Sequence, residues 1–329
     1  MRSDADKTLE SVKEVNDFPF YTATYHGNYR IDEYRRGAID SQQAVIPFFE
    51  ELFKDIGSPV SLSLPKSEAG QTGCSGFYCR TGTGGALLGK NLDWKRDPIL
   101  LLKTRPDKGF GSLSMVNLNF CDLFNTGSFK FKLLLSPYVP LDGMNENGLV
   151  VSMLSVSQGA EYPFVPGRIS VGDFNIIRIA LDFCGSVDEA VETFEKYNLM
   201  QTGPLPLHYL IADEKKSCIV EYSNGEMRIN ENEQMNYLTN FNTLNNPDYD
   251  NEKRNYHRYQ RIEKTLSEND NTLSSQAAMR LLNDVSVFQP DSGIPSTMWS
   301  IVYDIGRKKM KIRTGKIPVQ YSVGLGSDS

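Results

Sequence analysis

One short stretch of the sequence holds the residues best suited to nucleophilic chemistry. Cys74 begins a strand-like run, CSGFYCR, and after a turn over Thr81–Gly85 a second run, ALLGKNLDW, carries Lys90 and Asp93. A hairpin brings its second strand back beside the first. The spacing of Lys90 and Asp93 from Cys74 therefore predicts that both residues lie near Cys74. A cation beside a thiol favours the thiolate, which is the nucleophilic form of cysteine. The hairpin therefore predicts a cysteine nucleophile flanked by a cation and a carboxylate.

The residue before this cysteine suggests how the thiol becomes active. If the Gly73–Cys74 peptide bond is cut, Cys74 gains an α-amine whose ordinary pKa is about 7.7 to 8.0. Such an amine accepts the thiol proton near neutral pH without a histidine, so nucleophile and base belong to one residue. Asp93 would hold the amine in place. The sequence thus predicts an N-terminal cysteine nucleophile at the start of a domain of residues 74–329, preceded by a helical prefix, residues 1–73, that is either a propeptide or a retained subunit.

Further motifs follow the hairpin along the chain. They are Asp142–Leu149 (DGMNENGL), Tyr237–Asn240 (YLTN), His257–Tyr259 (HRY) and Ser296–Ser300 (STMWS). Taken in this order with Cys74 and Asp93, they resemble the choloylglycine hydrolase and linear amide C–N hydrolase family. That family includes bile salt hydrolases, penicillin V acylases and, more distantly, acid ceramidase.

The resemblance implies a fold and a mechanism. The fold is an α+β protein, the αββα four-layer sandwich of N-terminal-nucleophile hydrolases. Cys74 would attack an amide carbonyl and form a thioester, with Asn240 and a backbone N–H near Ser155 as oxyanion donors and Arg258 as the active-site arginine. The substrate would be a linear amide such as an N-acyl amino acid, a bile salt conjugate or a fatty acyl amide, and neither a cofactor nor a metal is implied.

Two positions depart from the family pattern, and some alternatives stay open. Lys90 stands where the family usually has arginine, which keeps the charge and loses the planar fork. Ser155 stands where asparagine or tyrosine is common, so it bears on substrate preference. Arg261 competes with Arg258 for the arginine role. A non-catalytic or zymogen-like binding protein with the same fold is the alternative function.

The order of elements predicts a layered protein with antiparallel sheets covered by helices. Periodicity predicts strands at 99–104, 129–135, 149–156, 208–212, 218–222, 299–303 and 309–312, and helices at 44–55, 172–197 with a break at 185–186, 253–266 and 275–285. The stretch 57–73 is rich in Gly, Pro and Ser and is typical of a linker.

Composition excludes several classes of partner. The net charge is −6 and basic residues are scattered, which argues against a nucleic-acid partner. No apolar run reaches the ~18 residues of a membrane span. The polar start favours a cytoplasmic protein, or an extracytoplasmic one if a leader or anchor was removed. Cysteine and histidine spacing predicts no metal site, a small-molecule substrate is the expected partner, and homo-oligomerisation is left open.

Overall fold

A computed structural model describes residues 2–16, 19–37, 45–55, 73–122, 128–156, 161–203, 205–232, 236–243, 253–287, 296–314 and 320–324. Its strands are β1 (Lys13–Asn16), β2 (Phe20–Thr24), β3 (Gly73–Arg80), β4 (Ala86–Trp94), β5 (Ile99–Thr104), β6 (Ser112–Asn117), β7 (Asp142–Asn145), β8 (Val150–Ser155), β9 (Ser170–Gly172), β10 (Asn198–Met200), β11 (Leu207–Ala212), β12 (Ser217–Ser223), β13 (Glu226–Asn230), β14 (Tyr237–Leu238), β15 (Ser296–Asp304), β16 (Lys309–Thr314) and β17 (Gln320–Gly324). The helices are α1 (Asp4–Glu10), α2 (Ile31–Tyr34), α3 (Val45–Asp55), α4 (Phe129–Leu135), α5 (Asn175–Phe183), α6 (Val187–Lys196), α7 (Lys253–Ser267) and α8 (Ser275–Asp284).

Two large sheets form the centre of the protein. Within the described ranges, one sheet has the order β1-β2-β5-β6-β7-β8-β11-β12-β13 and the other β14-β3-β4-β15-β16-β17. Strands β3 and β4 pack on β8, and β3 also packs on β11, so the two sheets lie face to face. Helices α5 and α6 cover the outer face of the first sheet, and α7 and α8 cover that of the second. The predicted αββα sandwich is confirmed.

Buried side chains pack each layer of the sandwich against the next. Strands β3 and β4 are buried at nearly every position, as expected for strands covered on both faces. One core fills the space between the sheets and beneath α5 and α6. A second, smaller core lies between α7, α8 and the outer face of β3, β4 and β15, and includes Phe77, Leu87, Ile262 and Leu282. Cys74 belongs to the first core and Cys79 to the second.

The prefix of residues 1–73 is more than helical. It contains α1, α2 and α3 as helices, but β1 and β2 form a hairpin, and β2 joins the first large sheet in parallel with β5. The predicted helix at 44–55 is found as α3, whereas the purely helical prefix is corrected, because the run FYTAT fits a pleated strand better than a helix. Apart from Gly73, which begins β3, the predicted linker lies outside the described residues.

One predicted strand is a helix. The alternation of Phe and Lys at the start of Phe129–Leu135 predicts an extended chain, but the structure forms α4 there. The alternation covers only four residues, and burying Leu133, Leu134 and Leu135 together needs the helical arrangement. The other predicted strands and helices are found, including the break between α5 and α6. Ser186 caps α6 there by accepting a hydrogen bond from the Glu189 amide at 3.3 Å.

No described helix is long and apolar enough to cross a membrane. Likewise, no group of three or more His, Cys, Asp or Glu in the described part of the chain is arranged to hold a metal ion. The five cysteines all lie in that part, and each is buried as a free thiol.

Candidate active site

The hairpin of β3 and β4 sets the position of the predicted nucleophile. Across this antiparallel pair, Gly73 faces Asp93, Cys74 faces Leu92 and Gly76 faces Lys90. Cys74 is buried, with 1% of its surface exposed. The expected approach of Lys90 and Asp93 to the start of the first strand is therefore present in the structure.

The side chains of Lys90 and Asp93 nevertheless project from opposite faces of β4. Side chains alternate along β4, so Lys90 and Leu92 share the face of Cys74, which is turned towards the other sheet, and Asp93 is turned towards α7 and α8. The contacts agree with this alternation. Lys90 reaches Asp142 of the facing sheet, and Asp93 reaches Arg258 of α7.

The Asp93 carboxylate lies between a strand and a helix. Thr297, its neighbour on β15, donates a hydrogen bond from Oγ1 to Oδ1 of Asp93 at 2.5 Å. Arg258 forms an ion pair with Oδ2 at 2.8 Å, and its Nε donates to the carbonyl of Val285 at 2.9 Å. Arg261 instead pairs with Asp284 on the surface. The structure thus brings Arg258 to Asp93 and leaves Arg261 away from it.

Lys90 is part of a polar cluster that joins the two sheets. Its Nζ lies 3.7 Å from Oδ2 of Asp142 on β7 and donates to the carbonyl of Met153 on β8. Tyr303 and Trp299, both on β15, also donate to the Asp142 carboxylate, the indole at 3.2 Å. Burial raises the pKa of Asp142, and Lys90 and the two aromatic donors oppose that rise.

Asn240 links the start of β3 to the facing sheet. Strand β14 pairs with β3 so that Leu238 faces Gly76, which carries the chain to the level of Cys74 two residues later. The Asn240 Oδ1 accepts a hydrogen bond from the backbone N–H of Cys74 at 2.5 Å. Its Nδ2 donates to the carbonyl and hydroxyl oxygens of Ser155, at 2.8 and 3.0 Å. In the uncut chain, the amide predicted to bind an oxyanion is therefore engaged with Ser155.

The electrostatic surroundings of the thiol are mixed. Burial raises the pKa of the Cys74 thiol above its ordinary value. Lys90 opposes this rise, Asp93 adds to it, and the backbone N–H of Ser155 and the Arg258 cation oppose it. A buried thiol in the uncut chain is thus held in its protonated form, with two cations nearby that favour its ionisation once burial is relieved.

The structure gathers the sequence-predicted residues Cys74, Asp93, Asn240, Arg258 and Ser155 at one end of the sandwich. Lys90 lies on the inner face beside them and pairs with Asp142. Two partners were missed as site residues although both lie inside recognised motifs: Asp142 begins DGMNENGL, and Thr297 is the second residue of STMWS. Their importance depends on contacts with distant strands, which residue type alone does not reveal.

Comparison with known proteins decides the family. A sequence model of the linear amide C–N hydrolases, choloylglycine hydrolase family, matches residues 74–281, more than half of the chain, and the match begins at Cys74. The chain belongs to the choloylglycine hydrolase family. This family membership agrees with the resemblance drawn from the motifs.

A curated relative and two solved structures are similar to this choloylglycine hydrolase family member. A bile salt hydrolase/transferase of Lactiplantibacillus plantarum is 29% identical over 135 residues, and the match covers 39% of this chain and 40% of that protein's length. A mutant of the conjugated bile acid hydrolase from Clostridium perfringens aligns with a TM-score of 0.57 and 17% identity over 77% of this chain and 92% of its own. Penicillin V acylase from Agrobacterium tumefaciens aligns with a TM-score of 0.54 and 20% identity over 77% and 86%. At such identities the solved structures establish the fold.

Proposed function

We propose that this protein hydrolyses linear amides through a thioester on Cys74, after the Gly73–Cys74 bond is cut. One observation carries the proposal. The Cys74 backbone nitrogen, which would become the α-amine, already has a polar partner in Asn240 Oδ1 at 2.5 Å, and Asp93 lies directly across the hairpin from Gly73. An ammonium formed there would meet an amide oxygen and a carboxylate, which stabilise positive charge.

Maturation is proposed to use the same thiol. The Cys74 sulfur bonds to the Gly73 carbonyl carbon, the C–N bond to Cys74 breaks, and the proton that the thiol loses is transferred to the nitrogen, which becomes the α-amine. Water then hydrolyses the resulting thioester, which leaves a carboxylate on Gly73 and a free thiol on Cys74. The 1% exposure of Cys74 in the uncut chain is consistent with an inactive precursor.

Turnover repeats this chemistry on an external amide. The α-amine takes the thiol proton, the sulfur bonds to the amide carbon, and an oxyanion forms. The Ser155 N–H and the Asn240 amide, once released from Ser155, are the proposed donors to that oxyanion, and losing one such donor costs about 10²- to 10³-fold in rate. The α-ammonium protonates the leaving amine, and water hydrolyses the thioester with the α-amine as base.

The apolar side of the site suggests the kind of acyl group. Trp94 shares the inner face of β4 with Leu92, the residue opposite Cys74. Its ring meets Phe120 edge-on at 5.0 Å, Phe120 in turn meets Phe174 at 5.9 Å, and the indole N–H is held by Asp97 at 2.9 Å. A fixed aromatic wall on the same face of the sheet as Cys74 favours apolar acyl groups, as in N-acyl amino acids, bile salt conjugates or fatty acyl amides.

The deciding experiment is the intact mass of the wild type and of Cys74→Ala under denaturing conditions. We expect two fragments from the wild type, the larger beginning at Cys74, and one uncut chain from Cys74→Ala. Cys79→Ala is the matched control, because Cys79 lies in the same strand and is equally buried but belongs to the other core, and we expect it to be cut normally.

The cut protein is then incubated with each class of amide, and amine release is measured. Release by the wild type and Cys79→Ala, together with fast alkylation of one thiol, would support the hydrolase. A wild type that remains a single chain and releases no amine would contradict it and favour the alternative, a zymogen-like or binding protein.

A further inference from the structure

Asn240 lies on irregular chain, so other groups must fix its side chain. Residues 239–243 follow the short strand β14 and belong to neither helix nor strand. Functional groups on such segments are placed less accurately than those on strands unless surrounding contacts lock them. The precision of Asn240 therefore depends on what holds both ends of this segment.

The far end of the segment is held by β12. Thr243 donates to both oxygens of the Glu221 carboxylate, from its backbone N–H at 2.9 Å and from its hydroxyl at 2.7 Å. Asn242 adds a hydrogen bond from Nδ2 to the carbonyl of Tyr222 at 2.9 Å. Glu221 thus binds both polar groups that Thr243 can donate, three residues beyond Asn240.

The carboxylate that binds Thr243 is buried and has a histidine beside it. Tyr209 faces Val220 across β11 and β12, so His208 and Glu221 form the next rung, with Nδ1 of His208 3.2 Å from Oε1 of Glu221. Burial acts to raise the pKa of Glu221, but the hydrogen bonds with His208 and Thr243 outweigh it, so this pKa lies below its ordinary value. Glu221 is therefore ionised at neutral pH, and a carboxylate accepts stronger hydrogen bonds than a neutral group.

The same rung also borders the second proposed oxyanion donor. Strand β11 pairs with β8 on its other side, where His208 faces Leu154 and Leu207 faces Ser155. The His208–Glu221 pair is thus connected to Asn240 through Thr243 and lies one rung from Ser155.

We propose that Glu221, held by His208, is a positioning residue that acts through Thr243 to fix Asn240 in the geometry that binds the oxyanion. This inference rests on the proposed function, since it takes Asn240 as an oxyanion donor. Neither Glu221 nor His208 is required to touch the substrate.

The test measures kcat and KM on cut protein for Glu221→Gln and Thr243→Val. Small displacements of catalytic groups can cost up to about 10²-fold, so we expect kcat to fall about 10- to 100-fold while KM stays within about twofold. Thr243→Ser, which keeps the hydroxyl, should recover most of the kcat lost in Thr243→Val. Glu226→Gln is the matched control, because this exposed glutamate on β13 takes no part in the site.

A double variant separates positioning from general destabilisation. If Glu221 acts through Asn240, then Glu221→Gln should lower kcat little further in an Asn240→Ala background, because coupled residues are not additive. Equal losses in both backgrounds, or wild-type kcat in Glu221→Gln and Thr243→Val, would overturn the positioning role while leaving the hydrolase intact. A wild type that is neither cut nor active would overturn both proposals together.

Discussion

Two buried Asp–Arg pairs in the described part of the chain lie on opposite sides of the sandwich, and they differ in the other groups that they contact. Asp93 and Arg258 are 2.8 Å apart at the start of β3, where Thr297 adds a hydroxyl. Asp182 and Arg178 are 3.2 Å apart on α5, where Tyr29 of the prefix donates to Asp182 at 2.6 Å. The first pair lies beside the predicted cut and the second ties the prefix to a helix. We therefore expect only the pair beside the predicted nucleophile to affect catalysis.

The comparison is tested most strongly by removing one carboxylate from each pair. Asp93→Asn should lower kcat/KM about 10²- to 10⁴-fold, because the proposed α-amine would lose the charge that orients it as general base. Asp182→Asn should leave kcat/KM within about twofold. Amine-release assays on cut protein measure both variants.

A comparable activity loss in Asp182→Asn would remove the proposed distinction between the pairs. If Asp93→Asn cannot be cut, its uncut mass still reports the effect, because the proposed mechanism uses Cys74 as the nucleophile in both cleavage and turnover.

A third pair in the described part of the chain, Lys90–Asp142, is also fully buried, and its contribution to stability can be tested directly. Removing one partner of a buried ion pair typically costs about 3–5 kcal/mol, so Lys90→Met should lower the free energy of unfolding by that order. Lys90→Met/Asp142→Asn should recover part of the loss, because no uncompensated charge remains and Tyr303 can still donate to the new amide. Urea denaturation of both variants measures this. An equal loss in the double variant would show that the cost comes from packing instead.

The smallest expected effect is a pH dependence of the free energy of unfolding that comes from Asp182, the partner of Arg178 on α5. Burial raises the pKa of Asp182 to about 6, with Arg178 and Tyr29 opposing the rise. Between about pH 4 and 6 the folded state then binds a proton at Asp182 that the unfolded state does not. The stabilisation of the folded state by this proton is complete below about pH 4 and is lost as the pH rises through 6.

Relative to Asp182→Asn, the wild type should therefore be about 1 kcal/mol more stable at pH 5 than at pH 7. The measurement is urea denaturation of both proteins at the two pH values. Asp173, whose pKa burial also raises to about 6, is present in both proteins and cancels. If the free energies of unfolding of the two proteins differ by the same amount at pH 5 and pH 7, the pH dependence does not come from Asp182.

Much of the fold could be predicted from the sequence because its signals there are local. The β3–β4 hairpin follows from a turn between two apolar runs, and the break between α5 and α6 follows from a capping serine. By contrast, Phe129–Leu135 alternates like a strand for four residues, and only its packing favours the helix. The prefix strands were also missed, because β2 is short and finds its partner, β5, far along the chain.

In the candidate site, too, local spacing could be predicted from the sequence and contacts between distant strands could not. The hairpin spacing placed Lys90 and Asp93 near Cys74, but it did not reveal that they serve opposite faces of β4. The contact between His208 and Glu221 depends on the register of β11 and β12, and its link to Thr243 crosses 22 positions of sequence. Neither residue has a spacing motif that would single it out.

The parallel pairing of β2 with β5 has a practical consequence for producing residues 74–329 on their own. A gene that begins at Cys74 would encode a chain in which β5, with its apolar run ILLL, becomes the exposed edge of the sheet. Unprotected apolar edges recruit strands from other molecules, so such a chain should aggregate during expression. In the full chain β2 covers this edge of β5, so under the proposed maturation the prefix would protect the sheet during folding, before the Gly73–Cys74 bond is cut.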